Sequence, residues 1–347
     1  MNKRTKKKIN KTILKYPIIL IPILLVILVV AGIFIYKEFF APKEQYEIPD
    51  GSAEIHYIDV GQGDSTLIFA DGMTVLIDTG EKDDDNTMIK YLKDKSVETI
   101  DYFIITHFDS DHYGEATEVL EEFKVTNLII PDQKKINTDT GNEQVMYRTF
   151  MDKVKALPEI YVSVIEASDD IGDRIEVDDI IDIDSEKDRV INVGVVDPEK
   201  EGDKADLELE FFGPVKDEYS NSNDYSIIVM VRWGETKLLF TGDSEKKGEE
   251  ALVDKYGSKL DDVLDCDVFK AGHHGSSTSS CQEIIDAASP VYIIISCGEN
   301  NDYGHPHAEA MSRFENAVDD GKIYRTDESG TIILTTDGKN ITVSVSN

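Results

Sequence analysis

Three cysteines in 347 residues are too few, and too unevenly placed, for a disulfide scaffold. Cys266 and Cys297 stand in apolar runs and read as core residues. No cysteine follows the apolar segment near the N-terminus where a lipid-modified one would have to stand, which argues against a lipoprotein anchor. Basic residues are scarce as well: 36 Lys and Arg face 69 Asp and Glu, a formal net charge of −33. A chain so acidic repels polyanions at long range, which weighs against tight binding of nucleic acid through a broad basic surface. A small cleft lined by metal ions is untouched by that argument. No segment recurs at a fixed period. Histidine is also sparse, with seven in the chain, so where these fall carries information.

The chain has a single long apolar run. Residues 18–36, IILIPILLVILVVAGIFIY, contain 19 uncharged residues, and residues 1–17 before them carry seven Lys or Arg and no acid. About 20 apolar residues cross a bilayer as a helix. The run is longer than the roughly 7–15 residues of a cleaved signal and lacks a convincing cleavage site. An uncleaved signal-anchor is therefore expected, with the basic flank in the cytoplasm. This gives a cytoplasmic tail (1–17), a transmembrane helix (18–36), a linker (37–53) and one large domain (54–347) outside the membrane. The expected location is the cell membrane, as a single-pass protein with no stable protein partner.

Within that domain, short β-rich runs alternate with helical stretches. Residues 54–60, 65–70 and 74–80 read as a meander separated by glycine-bearing turns. Residues 85–97 place Met88, Ile89, Leu92 and Val97 at helical spacing. Residues 102–107 (YFIITH) read as an apolar strand ending on a histidine, 115–123 as a helix and 125–131 as a strand stopped by Pro131. A hairpin is expected around Gly234, then helices alternating with the strands in FKAG and VYIII. Two facing sheets with outer helices accommodate this order. Between residues 166 and 208, 17 Asp or Glu face 5 Lys or Arg. This stretch reads as a solvated, partly β insertion.

The chemistry concentrates at the ends of apolar strands. Residues 106–115, THFDSDHYGE, hold two His and three carboxylates. Alternate residues of an extended segment point the same way. His107 and Asp109 are therefore positioned to grip one ion, while Asp111 and His112 turn towards a second. Six of the seven histidines fall in three glycine-flanked clusters, His107/His112, His273/His274 and His305/His307; His56, in mid-strand, reads as structural. Asp78 in VLIDTG and Asp243 in LLFTGD also follow apolar strands, and Asp243 is the natural carboxylate to bridge two ions. Asp64 in VGQGDS and Ser276 in HHGS are placed to shape the pocket, or serve only the turns in which they lie.

IDVGQGDS, LIDTG, THFDSDHYG, LLFTGD, FKAGHHGS and YGHPH occur in the order seen in the metallo-β-lactamase-fold domain of ComEC family competence proteins, which residues 54–345 resemble outside the acidic insertion. The resemblance implies an α/β fold, the αββα sandwich, with one or two divalent ions at one edge and hydrolase chemistry. It implies metal ligands at His107, Asp109, Asp111, His112, Asp243 and one or both of His273 and His305, with Asp78 orienting the histidine-rich loop. Asp111 and His274 are the expected catalytic groups, a free histidine protonating the leaving group. Because the family commonly carries His-x-Asp-x-Asp-His, Asp109 reads as a ligand. The superfamily's usual third-motif histidine is absent, and NSNDYSIIV offers Asn223 and Ser226 there. Carboxylate-rich sites favour harder ions and imidazole-rich ones Zn²⁺, so Zn²⁺ or Mn²⁺ is expected. The substrate implied is DNA; the alternatives are another phosphodiester, such as a cell-wall polymer, or a non-catalytic metal-binding module. A full competence channel also has a multi-helix membrane domain, whereas here a single anchor is read.

Overall fold

The structure is a computed structural model. It describes residues 51–132, 141–165, 190–193 and 207–346, except 71, 158 and 217, together with 23, 26–32, 46, 48 and 49. The chain divides into a short unit, Met1–Gln45, and a large one, Tyr46–Asn347. Most of the expected membrane helix at 18–36 lies outside the described residues; 26–32 are helical. Among the described residues, no helix is long and apolar enough to cross a membrane.

Fifteen strands are described: β1 (Ala53–Tyr57), β2 (Thr66–Ala70), β3 (Met73–Ile77), β4 (Thr99–Ile104), β5 (Lys124–Pro131), β6 (Tyr161–Ile165), β7 (Val190–Val193), β8 (Leu207–Phe211), β9 (Val229–Trp233), β10 (Thr236–Phe240), β11 (Val268–Lys270), β12 (Tyr292–Ile295), β13 (Ile323–Arg325), β14 (Ile332–Thr336) and β15 (Ile341–Val345). They form two sheets, ordered β15-β14-β1-β2-β3-β4-β5-β6 and β13-β12-β11-β10-β9-β8-β7. The first three strands form the expected meander, antiparallel throughout. β9 and β10 make the hairpin, with Gly234 at φ +59° in the turn. Within the acidic stretch, β7 pairs antiparallel with β8; residues 166–189 and 194–206 lie outside the described set.

Alternation along the strands creates three apolar layers. Ile55, Tyr57, Ile68 and Val75 of the first sheet meet Leu209, Val229, Leu238 and Val268 of the second in the central layer. The opposite face of the first sheet, with Leu76, Phe103 and Leu128, is covered by Met88, Leu92, Val119 and Phe150 from the helices Thr87–Asp94, Ala116–Glu122 and Gly141–Lys155. On the far side, Leu252, Ile285 and Phe314 from Lys246–Tyr256, Gln282–Ala288 and Ala308–Ala317 cover Leu239, Phe269 and Ile293. The result is the expected αββα sandwich. Each interior side chain of this size contributes about 1.5–3 kcal/mol by leaving water.

Strand direction positions the site. β3 and β4 run parallel, as do β10, β11 and β12. Their C-terminal ends deliver the loops carrying Asp78, residues 106–112, Asp243 and the two histidines of HHGS, the end of a parallel sheet where ligands characteristically bind. One boundary differs from the sequence reading. β4 stops at Ile104, three residues before His107. The Thr106 carbonyl accepts the Ile227 N–H from the segment leading into β9 at 2.9 Å, so the backbone has left the first sheet before His107.

Candidate metal centre

The β4 loop turns sharply after His107. Asp109 is extended, with φ −91° and ψ 147°, and Ser110–Tyr113 then form one helical turn. This geometry separates the two pairs of polar side chains. His107 Nε2 lies 3.9 Å from Asp109 Oδ2. Asp111 Oδ2 lies 3.2 Å from His274 Nε2, and His112 Nε2 lies 3.1 Å from Asp243 Oδ1. Asp243 Oδ2 is 3.6 Å from both His273 Nε2 and His274 Nε2. The His107 and His112 rings are 4.2 Å apart, centre to centre. Asp243 thus meets His112, His273 and His274 directly, and its charge is also felt by His107 and Asp109.

The HHGS loop owes its shape to strained backbone. His273 and His274 have φ of 47° and 54°, left-handed values that are uncommon for residues with a side chain. The His273 N–H donates to the Gly242 carbonyl at 3.1 Å, and the His307 N–H donates to the Gly275 carbonyl at 2.9 Å. Gly275 has φ +80°, and a Cβ there would fall 2.6 Å from Pro306 Cβ, so only glycine fits. Ser276 closes the loop: its N–H donates to the His273 carbonyl at 2.8 Å, and its hydroxyl lies 2.9 Å from that of Thr278.

Two of the buried histidines, His112 and His274, are held from behind. His112 Nδ1 lies 2.7 Å from Asp78 Oδ2; a carboxylate only accepts, so Nδ1 carries the hydrogen and Nε2 is free to ligate. Asp78 is in turn fixed by the Thr106 N–H at 2.8 Å and the Thr106 hydroxyl at 2.6 Å. His274 Nδ1 lies 3.0 Å from the Ser296 carbonyl and 3.4 Å from Asp64 Oδ1. VGQGDS brings Asp64 to this place through close packing. A Cβ on Gly63 would fall 2.5 Å from the Asp111 carbonyl, which accepts the Asp64 N–H at 3.0 Å.

One ligand atom from each of Asp64, His112, Asp243 and His274 lies within 4.8 Å of the others, and all four residues are buried. His107 Nε2, Asp109 Oδ1, His112 Nε2 and Asp243 Oδ1 are buried without a hydrogen-bond partner. The His112–Asp243 pair, despite its 3.1 Å separation, lacks hydrogen-bond alignment, as expected of two atoms aimed at a shared third point. Buried polar atoms are normally paired, so these orphans fit a divalent cation. Electrostatics agrees. Burial opposes charge on His112 and His274, yet Asp243 and its neighbouring carboxylates hold the first well above the usual imidazole range and the second at about 10. Burial, reinforced by Asp111 and Asp243, pushes Asp109 up to about 6. Burial also raises Asp111, but His274 and His112 prevail and hold it at about 2. Burial, with His112 beside it, pushes His107 down to about 4. Without a cation, protons on the rings balance the carboxylates.

Other expected residues stand further out. The His305 ring is 5.4 Å from His273 and 6.0 Å from His274, stacked on exposed Tyr303. Among the described residues His305 has no ion pair with a carboxylate. Asn223 Nδ2 donates to Glu245 Oε1 at 3.3 Å, and the Ser226 hydroxyl accepts the Asp243 N–H at 3.0 Å. Neither takes the place of the missing histidine. Ser222, which sequence reasoning passed over, donates its hydroxyl to Asp109 Oδ2 at 3.3 Å. Glu245 was missed too; its Oε1 lies 3.1 Å from His273 Nδ1, and its spacing two residues beyond Asp243 was the available signal. His56 is buried in β1, with Nδ1 2.7 Å from the Tyr91 hydroxyl, as a structural residue would be.

A histidine- and aspartate-rich cluster at one rim of an αββα sandwich defines a metal-dependent hydrolase. The chain belongs to the metallo-beta-lactamase superfamily, whose family model matches residues 58–299. It is similar to ComE operon protein 3 of Bacillus subtilis (strain 168), 28% identical over 305 residues that cover 83% of this chain and 33% of that one. Competence protein ComA of Neisseria gonorrhoeae is 28% identical over 286 residues, 82% of this chain and 32% of that one. The chain therefore spans about a third of the length of these relatives. Among solved structures, the metallo-beta-lactamase fold protein YhfI from Bacillus subtilis aligns with a TM-score of 0.43 at 11% identity, over 80% of this chain and 98% of that one.

Proposed function

We propose that this protein is a phosphodiesterase that cleaves DNA outside the cytoplasmic membrane, held there by residues 18–36. The observation that carries the reading is the convergence of buried histidines on Asp243, with orphaned ligand atoms on His107, Asp109, His112 and Asp243. His107, Asp109 and Asp243 would hold one ion, and Asp111, His112, Asp243 and His274 a second. Bound there, Zn²⁺ or Mn²⁺ supplies Lewis acidity towards a phosphoryl oxygen and lowers the pKa of water.

The chain's own groups do the rest. Asp78 and the Ser296 carbonyl fix the tautomers of His112 and His274, so their Nε2 atoms stay available. Asp111, itself beside His274, is placed to orient the attacking water. His305 stands outside the carboxylate cluster, and burial beside His274 pushes it down to about 4. It would hold a leaving group by donating a hydrogen bond rather than as a charged acid. Competence proteins among the relatives support DNA as substrate. The net charge of −33 favours a second reading, a small or cell-wall phosphodiester.

The purified chain, loaded with Mn²⁺ or Zn²⁺, should cleave linear single- or double-stranded DNA. Cleavage of a small phosphodiester but not DNA selects the second reading. A blank metal analysis with no binding on titration refutes both.

A further inference from the structure

We propose that Lys270 is a positioning residue of the metal centre, acting through Asp64 on His274. The inference rests on the metal-centre reading above and adds a group to which that reading gives no role. Lys270 ends β11, between β10 and β12, and is 3% exposed. Side chains alternate across a strand. Val268 faces the layer between the sheets and Phe269 the outer helices. Lys270 therefore emerges on the same side as Val268, between the sheets at their metal-bearing rim. A lysine is rarely buried unless paired. Here the pairing is definite: Nζ donates to Asp64 Oδ2 at 2.7 Å and to the Ala271 carbonyl at 2.9 Å.

The pair decides what Asp64 can do. One carboxylate oxygen is taken by the ammonium, and the other lies 3.4 Å from His274 Nδ1, on the side of the ring away from Asp111 and Asp243. Asp64 therefore lies on the Nδ1 side of a ligand, the side Asp78 takes at His112, though at 3.4 Å and without a hydrogen bond to the ring. The Ser296 carbonyl already sets the His274 tautomer; the Asp64 carboxylate adds negative charge that makes Nε2 a stronger donor to a cation. Lys270 keeps that carboxylate turned towards the ring. The Asp64 backbone is stitched to the loops of the first sheet, its N–H to the Asp111 carbonyl at 3.0 Å and its carbonyl to the Gly80 N–H at 2.7 Å. The ion pair thus links the end of β11 to the loops of the first sheet at the rim that carries the cluster.

Lys270→Met alone leaves a buried carboxylate unpaired and loses stability for that reason. The test therefore uses the paired variant Asp64→Asn with Lys270→Met, which removes both charges at nearly constant volume, a change that buried ion pairs often tolerate. The metal-free full chain is titrated with Mn²⁺ and with Zn²⁺, alongside its urea midpoint and near-ultraviolet circular dichroism. The expected result is a native-like spectrum and midpoint, with affinity about 10- to 100-fold weaker for one equivalent and unchanged for the other. Wild-type affinity for both equivalents overturns the proposal. So does a paired variant that fails to fold, since the ion pair would then serve the fold and not the metal. If the unaltered chain binds no metal, it is the reading of the centre that fails.

Discussion

Replacing Asp78 with asparagine tests the metal centre without touching a proposed ligand. Asp78 is buried and accepts three hydrogen bonds, from the Thr106 N–H, the Thr106 hydroxyl and His112 Nδ1. The asparagine oxygen can keep the Thr106 N–H, and the threonine hydroxyl can rotate to accept from the new amide. His112 has no such freedom. With an amide NH₂ facing it, Nδ1 becomes the acceptor and the ring hydrogen moves to Nε2, the atom that faces Asp243 at 3.1 Å. The metal-free fold then loses one charge-assisted hydrogen bond, about 1–3 kcal/mol. Metal affinity falls about 10- to 100-fold, which corresponds to roughly 1.4–2.7 kcal/mol. Urea unfolding of the metal-free chain measures the first quantity and Mn²⁺ or Zn²⁺ titration the second. Binding by the Asp78→Asn variant within about threefold of the unaltered chain would refute the tautomer argument. Loss of stability with no loss of affinity would make Asp78 a purely structural residue.

Three further outcomes are expected. Asp109→Ala should remove one of two metal equivalents and most of the activity, whereas Asp109→His should keep both and shift preference towards Zn²⁺; metal analysis of the two proteins decides, and an unchanged Asp109→Ala makes position 109 a turn residue. Loading the metal-free chain at pH 7 should release about two protons, from His112 and His274, because imidazoles must be neutral to ligate; affinity should therefore rise with pH, and calorimetry in two buffers of different ionisation enthalpy counts the protons. Burial, with the Lys95 charge nearby, pushes His56 down to about 4, so the unfolded chain takes up its proton first as pH falls. The associated stability is complete above pH 6.5 and is lost as pH falls towards 4, about 3 kcal/mol in all. In metal-free protein, His56→Gln should flatten the decline of the urea midpoint between pH 6.5 and 5, and parallel slopes would contradict it.

The strands, outer helices and clustered histidines were legible because each is written in neighbouring residues. Apolar alternation, glycine turns and Pro131 fix local geometry within a few positions, and the motifs state the donor chemistry. The end of β4 was less legible: YFII is apolar throughout and runs on into Thr106, and it is the bond from the Ile227 N–H to the Thr106 carbonyl that marks where the backbone leaves the sheet. Ser222 and Glu245 were missed because their roles depend on which loop of the other sheet lies opposite.

By itself the sequence determined the layer architecture and the kind of site, since periodicity and residue type are local properties. Only the tertiary structure decided how the site is divided. It set His305 outside the carboxylate cluster, placed Asp64 behind His274, and turned Lys270 inward to meet a carboxylate 206 positions away. Convergence of that kind follows from strand order, register and the direction of parallel strand ends, which no stretch of neighbouring residues specifies.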